Sequence, residues 1–145
     1  MGLIVDTSVL IAAEKRRFDL GRLFADNPKE LFYIASITAA ELLHGVERAQ
    51  PAARRKARST YVESILDSLE VIDFDLAVAR RHAALWASLE KAGRVIGAYD
   101  LLIAATALHF DYAVVTLNMS EFQRANGLKL INPSPYNVAE LKDRT

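Results

Sequence analysis

The stretch Leu3-Ile4-Val5-Asp6-Thr7-Ser8 sets the architecture of this chain, because an apolar run passes directly into an acidic, hydroxyl-rich turn. Three consecutive aliphatic residues are typical of a short buried strand. Asp6 or Ser8 can cap the helix that residues 9–15 predict. A buried strand that leads through a polar turn into a helix is the opening of an α/β unit.

The rest of the chain repeats this alternation of strand and helix. Apolar runs predict four more short strands, at 32–35, 70–72, 113–116 and 129–131. Helical periodicity and capping signals predict helices at 20–25, 36–49, 51–69, 76–91 and 100–110, and a helical turn at 120–124. We therefore expect an α/β fold with a central, mostly parallel sheet and helices on both faces. A single domain is expected over 1–145, with about 133–145 as a C-terminal tail or short helix.

Composition narrows the class of protein. The chain has 145 residues, of which 52% are hydrophobic and none is cysteine, so we expect a globular domain without disulfides or zinc–thiolate sites. Its longest apolar run, 101–108, is shorter than the roughly 18 residues of a membrane span. Asp6 interrupts the apolar stretch that a signal peptide needs. These features predict a cytoplasmic protein with no membrane partner.

Four acidic residues follow predicted strands or begin predicted helices: Asp6, Glu41, Asp100 and Glu121. Ligands of open α/β sheets bind at the carboxyl ends of the strands, so we expect these acids to meet at one edge. Two carboxylates about 4 Å apart repel by roughly 4 kcal/mol at an effective dielectric near 20, so such a cluster needs a cation or protonation. Oxygen ligands favour Mg²⁺, with Mn²⁺ as a substitute. The pattern indicates metal-assisted phosphate chemistry.

Each acid also has a purely structural explanation. Segments 38–41 and 118–121 have the spacing of a capping box. Asp6 and Asp100 can act as first-turn acids, each favoured by the helix dipole by roughly 0.3–1 kcal/mol. The formal net charge of zero argues against binding nucleic acid through bulk charge, but it is compatible with a nuclease that has an acidic centre. The combined pattern favours a metal-binding site, because a helix dipole stabilises each carboxylate by less than the mutual repulsion destabilises it.

The same segments carry the motifs of a known family. In their order along the chain, the segments 6–11, 36–42 with Gly45, 100–107, 115–118 with 121–122, and 127–133 resemble the motifs of PIN-domain nucleases. The resemblance is strongest to the VapC-type toxins of toxin–antitoxin systems. It implies a Mg²⁺-dependent endoribonuclease that hydrolyses RNA. It also implies a homodimer that is silenced by a small antitoxin whose tail occupies the active-site groove.

The resemblance also implies roles for individual residues. Asp6, Glu41 and Asp100 correspond to the three central catalytic and metal-binding acids. At the fourth position many relatives have an aspartate where this chain has Asn118, whereas others place their acid where Glu121 stands, so Glu121 is expected to complete the catalytic and metal-binding set unless Asn118 does. The residues expected to position ligands or substrate are Thr7, Ser8, Thr116 and Asn118. We hypothesise that Asp6 and Asp100 hold the principal ion, and that Glu41 binds it through water or orients the attacking water.

Other functions stay open at this point. A non-catalytic PIN-like module that binds RNA or protein is the main alternative, and Asn118 is the feature that favours it. Metal-dependent phosphatases and phospho-acceptor receiver domains also use acids at strand ends. A phosphatase of the haloacid dehalogenase type needs a second aspartate where Ser8 stands, and a receiver needs paired acids after its first strand. Neither pattern is present.

Overall fold

A computed structural model describes residues 2–139 of the chain, in which helices and strands alternate as predicted. The elements are β1 (Gly2–Val5), α1 (Thr7–Glu14), α2 (Leu20–Asp26), β2 (Leu31–Ala35), α3 (Ser36–Arg48), α4 (Ala52–Ser68), β3 (Glu70–Ile72), α5 (Leu76–Lys91), α6 (Ala98–Phe110), β4 (Ala113–Val115), α7 (Met119–Phe122) and β5 (Lys129–Ile131). A 3₁₀ helix, Ser134–Tyr136, follows. The part of the predicted C-terminal tail beyond residue 139 lies outside the described residues.

The five strands form one parallel sheet in the order β3-β2-β1-β4-β5, which confirms the predicted fold class. β1 lies at the centre, with Ile4 opposite Tyr33 of β2 and Val5 opposite Val115 of β4. The chain builds outward from β1 on one side and then returns to the other side with β4. Ligands of such sheets bind at the point where the strand order reverses, here between the carboxyl ends of β1 and β4.

Two hydrophobic cores lie on opposite faces of the sheet. Successive side chains of a strand point to opposite faces, so Val5 enters the first core and Ile4 enters the second. The first core is formed by helices α1 to α4, with Leu10 and Leu42 among its buried residues. The second core is formed by α5, α6 and α7, and Phe122 is fully buried there. Helices from both faces therefore reach the edge at which β1 and β4 end.

None of the helices within residues 2–139 is long and apolar enough to cross a lipid bilayer. The apolar helix α6 has 13 residues, six of which are buried.

We expect Phe122→Ala to lower the free energy of unfolding by about 3–5 kcal/mol, because it removes a fully buried aromatic ring and leaves a cavity. The matched control is Phe110→Ala, which removes the same atoms from a ring that is 40% exposed and should cost clearly less. Urea denaturation of both variants measures the difference. Equal losses would show that α7 does not contribute to the second core.

Candidate active site

Asp6 occupies the carboxyl end of the central strand. Its backbone N–H donates to the Val115 carbonyl at 2.9 Å, which extends the pairing of β1 with β4 by one residue. Its side chain is only 3% exposed, and Oδ2 accepts hydrogen bonds from the hydroxyls of Ser8 at 2.6 Å and Thr116 at 2.8 Å. Asp6 is the N-cap residue of α1 but makes no side-chain capping bond. Its carboxylate therefore does not cap the N-terminus of α1.

The two hydroxyls that bind Asp6 are themselves fixed by the loop after β4. The backbone N–H of Leu117 donates to Ser8 Oγ at 3.2 Å, and that of Asn118 donates to Thr116 Oγ1 at 2.9 Å. Each hydroxyl thus accepts from the backbone and donates its single hydrogen to Asp6. The predicted positioning role of Ser8 and Thr116 is in keeping with these contacts, because they place the Asp6 carboxylate and the loop after β4 in one network.

Glu41 is positioned by a threonine pair that links α1 to α3. Thr7 Oγ1 donates to Glu41 Oε1 at 2.8 Å and lies 3.0 Å from Thr38 Oγ1, which is fully buried. The capping-box explanation of Glu41 is wrong, because α3 begins at Ser36 and Thr38 is already inside the helix. Sequence analysis missed Thr38 as part of the site. Its only sequence signal is a hydroxyl within the second acidic motif.

Asn118 joins the remaining two acids. Its side-chain nitrogen Nδ2 donates to Asp100 Oδ2 at 3.1 Å and to Glu121 Oε2 at 2.6 Å. The other oxygen of Glu121 accepts from the backbone N–H of Gly97, which precedes α6. The capping-box explanation of Glu121 fails as well, since its carboxylate binds the side chain of Asn118 and not the backbone N–H of that residue. Both acids are therefore held across elements distant in sequence.

The environment of the site shifts the pKa values of Asp100, Glu41 and Glu121. Burial, and next the negative charge of Asp6, raise the pKa of Asp100 to about 6; the charges of Glu121 and Glu41 act in the same direction, while the Asn118 hydrogen bond opposes them. The pKa of Glu41 is raised by burial and by the charge of Asp6, against the Thr7 hydrogen bond. The pKa of Glu121 is lowered, mainly by the Gly97 N–H and then by Asn118. The four acids thus share one electrostatic site.

The chemistry of this donor set fits a hard divalent cation. Asp6, Glu41 and Asp100 make no ion pair with any lysine, arginine or histidine in the described part of the chain, and only hydroxyl and amide groups bind them. Within residues 2–139 no three acidic or histidine side chains are packed closely enough to form a ready-made metal cluster. Oxygen-only ligands with surplus negative charge are those that Mg²⁺ and Mn²⁺ prefer.

A cleft beside Glu41 carries basic side chains. It lies between α1, α3 and α4, and its lining includes Lys15, Arg48 and Arg58 together with Glu41 and Glu14. Arg58 forms an ion pair with Glu14 at 3.5 Å, whereas Lys15 and Arg48 have no acidic partner in the described residues. Arg58 belongs to the basic run 54–58, which the sequence already marks as a possible phosphate contact, whereas Lys15 and Arg48 could not be singled out because they end two other helices.

Comparison with known proteins gives the family. A family model described as PIN domain matches residues 3–128. "Ribonuclease VapC" of Rickettsia bellii is 34% identical over 131 residues, which cover 90% of this chain and 96% of that protein.

Solved structures show the same relationship. The structure of VapBC2 from Rickettsia felis, bound to a DNA fragment from the promoter, matches with a TM-score of 0.84 at 28% identity, over 91% of this chain and 98% of that one. VapBC-5 of Mycobacterium tuberculosis, a member of the VapBC family of toxin–antitoxin systems, matches with a TM-score of 0.73 at 30% identity, over 90% and 98%. This chain belongs to the PIN domain family and, within it, to the VapC ribonucleases.

Proposed function

We propose that this protein is a Mg²⁺-dependent endoribonuclease that hydrolyses phosphodiester bonds in RNA and serves as the toxin of a type II toxin–antitoxin system, with Mn²⁺ able to replace Mg²⁺. The observation that carries the proposal is the group of acids at the edge between β1 and β4. Asp6, Glu41 and Asp100 influence one another's charge there, and only neutral groups bind them. Membership of the VapC ribonucleases supports RNA as the substrate.

Asp6 and Asp100 are the residues that would hold the ion directly, and Glu41 would hold it through a water molecule. Each has one carboxylate oxygen without a hydrogen bond in the described residues: Oδ1 in both aspartates and Oε2 in Glu41. The chemistry that a divalent ion supplies when bound is polarisation of a phosphoryl oxygen and a lowered pKa for water. Glu41, oriented by Thr7, has a raised pKa and can accept a proton from a water molecule through its free oxygen.

The basic cleft supports an RNA substrate. Lys15 and Arg48 lie beside Glu41 without acidic partners, so they can bind phosphates next to the one that reacts. Contacts between cations and phosphates supply affinity without sequence readout. A neutral chain can therefore bind RNA locally although its formal net charge is zero.

The proposal includes partners and a location. We propose that a small cognate antitoxin inhibits the protein, in line with the toxin–antitoxin complexes among its structural relatives, and that both act in the cytoplasm, where the RNA is. We further propose a homodimer. Exposed apolar side chains on one side support it, because the rings of Phe74, His82 and Trp86 pack in series while Trp86 stays 53% exposed.

A non-catalytic RNA- or protein-binding module is the alternative. The observation that favours it is Asn118, an amide in place of an acid, whose side chain is engaged by both Asp100 and Glu121. Cleavage assays separate the two functions.

We expect the purified protein, free of antitoxin, to cleave structured RNA in Mg²⁺ or Mn²⁺ and to lose all cleavage in EDTA. Asp6→Asn should lower the cleavage rate by roughly 100-fold or more, because even the hydrogen-bond partners of metal ligands typically contribute 10–100-fold. Gel analysis of a panel that includes transfer RNAs measures the rates. The matched control, Asp67→Asn on the exposed face of α4, should cleave like the wild type.

No cleavage of the whole panel, together with no thermal stabilisation by Mg²⁺ or Mn²⁺, would instead favour the non-catalytic module. Cleavage that persists in EDTA would contradict the proposed chemistry.

We expect Asp100→Asn to abolish cleavage and yet raise the stability of the metal-free protein at pH 7. The pKa of Asp100 is about 6 in the folded chain against its ordinary value of 3.8, so the folded state binds the proton more tightly. Stability therefore falls as pH rises from about 4 to 6, and the full penalty is present above pH 6. After a discount for partial exposure, the variant should gain roughly 1 kcal/mol at pH 7.

Thermal unfolding in EDTA between pH 4 and pH 8 tests this gain, which should vanish near pH 4. Asp73→Asn, at an exposed aspartate before α5, serves as the control and should change stability by less than about 0.5 kcal/mol at every pH. A loss of stability in Asp100→Asn at pH 7 would show that Asp100 is not held in a repulsive site.

A further inference from the structure

Glu121 differs from the other three acids in how its oxygens are used. Oε1 accepts from the Gly97 N–H and Oε2 accepts from Asn118 Nδ2 at 2.6 Å. Asp6, Glu41 and Asp100 each keep one oxygen that accepts no hydrogen bond from the described residues, and the Asp100 carboxyl also lies close enough to that of Glu121 to help lower the pKa of Glu121. Of the four carboxylates, Glu121 alone has both oxygens committed to the protein. Its contacts are those of a structural link and not of an acid held ready for an ion.

The orientation of Asn118 explains what this link does. Carboxylates only accept hydrogen bonds, so the amide must turn its NH₂ group toward Glu121 and Asp100. That single nitrogen carries two hydrogens, one for each acid, at 2.6 Å and 3.1 Å. Because the amide is planar, its two N–H groups move together. When the Asn118 amide shifts with Glu121, the N–H group that binds Asp100 shifts as well. The position of Glu121 is thus transmitted to Asp100.

We propose that Glu121 is a positioning residue: it holds the Asn118 amide, which orients Asp100, and it ties the connection between α5 and α6 to the site. The ion is then held by Asp6, Glu41 and Asp100, and Asn118 stands at the fourth position as a donor. This inference rests on the proposed function, because it assigns parts within that same site.

Gly97 offers a way to disturb this link without touching any acid. A Cβ atom at Gly97 would lie 3.1 Å from Glu121 Oε1. The backbone there has φ −55° and ψ 148°, which any residue adopts, so the tight fit to Glu121 is what favours glycine. Gly97→Ala should therefore displace the Glu121 carboxylate from its place between Gly97 and Asn118 while it leaves every charge in place.

The experiment measures Mn²⁺ binding by calorimetry and RNA cleavage kinetics for the wild type, Asp100→Asn, Glu121→Gln and Gly97→Ala. Asp100→Asn should weaken Mn²⁺ binding by at least about 10-fold. Glu121→Gln and Gly97→Ala should both lower kcat by about 10-fold, leave KM for RNA unchanged, and alter the Mn²⁺ dissociation constant by less than about 3-fold. The metal-binding measurement does not depend on cleavage.

A double-mutant cycle tests whether Glu121 acts through Asn118. In the Asn118→Ala background, Glu121→Gln should lower kcat by less than about 2-fold further, because the link is already broken. Independent, additive losses would overturn the proposal, and so would Mn²⁺ binding weakened as much by Glu121→Gln as by Asp100→Asn. Gly97→Ala keeps the test decisive if Glu121→Gln fails to fold.

The outcomes also separate this inference from the proposed function. A wild-type protein that neither binds Mn²⁺ nor cleaves RNA would overturn both. A wild type that does both, with Mn²⁺ binding lost in Glu121→Gln, would overturn only the positioning role.

Discussion

The hydrogen bond from the Asp6 N–H to the Val115 carbonyl is the contact on which the site depends. It continues the β1–β4 ladder past the last paired residues, Val5 and Val115, so the segments that follow the two strands leave the sheet side by side. Thr116 is thereby brought within 2.8 Å of the Asp6 carboxylate although 110 residues separate them. The loop that follows carries Asn118, and through it the site reaches α6 and α7. Backbone pairing thus positions the side chains.

Neutral hydrogen-bond donors hold the carboxylates of the site in place. Ser8, Thr116 and Thr7 contribute hydroxyls and Asn118 contributes an amide, and none of them cancels a charge. The raised pKa of Asp100 reflects its burial first and then the uncompensated negative charges of the neighbouring acids. An arginine or lysine in the same place would relieve that repulsion, but it would also compete with a cation for the carboxylates. The folding energy of two hydrophobic cores offsets the repulsion of this one edge.

The fold was largely predictable because its strands are buried. The aliphatic run before Asp6 and the run at 113–115 have no polar alternation, which is the pattern of a parallel sheet covered on both faces. The meeting of Asp6, Asp100 and Glu121 at one edge was expected as well, because Asp6 follows a strand and the other two lie in the first turns of helices, whereas Glu41 lies in the second turn of α3. What the sequence could not supply was the hydrogen-bond partner of each acid. The four-residue spacing of a capping box occurs at Glu41, but its partner is Thr7, 34 residues away.

The acids of the site are spread along the chain from residue 6 to residue 121, and the helices that carry them lie on both faces of the sheet. β4 and α7 are made late, after all the helices of the first core. During synthesis the chain emerges from its N-terminus, so Asp6 and Glu41 leave the ribosome long before Thr116 and Glu121. The site is therefore complete only after residue 121 has been synthesised, when most of the domain has already left the ribosome.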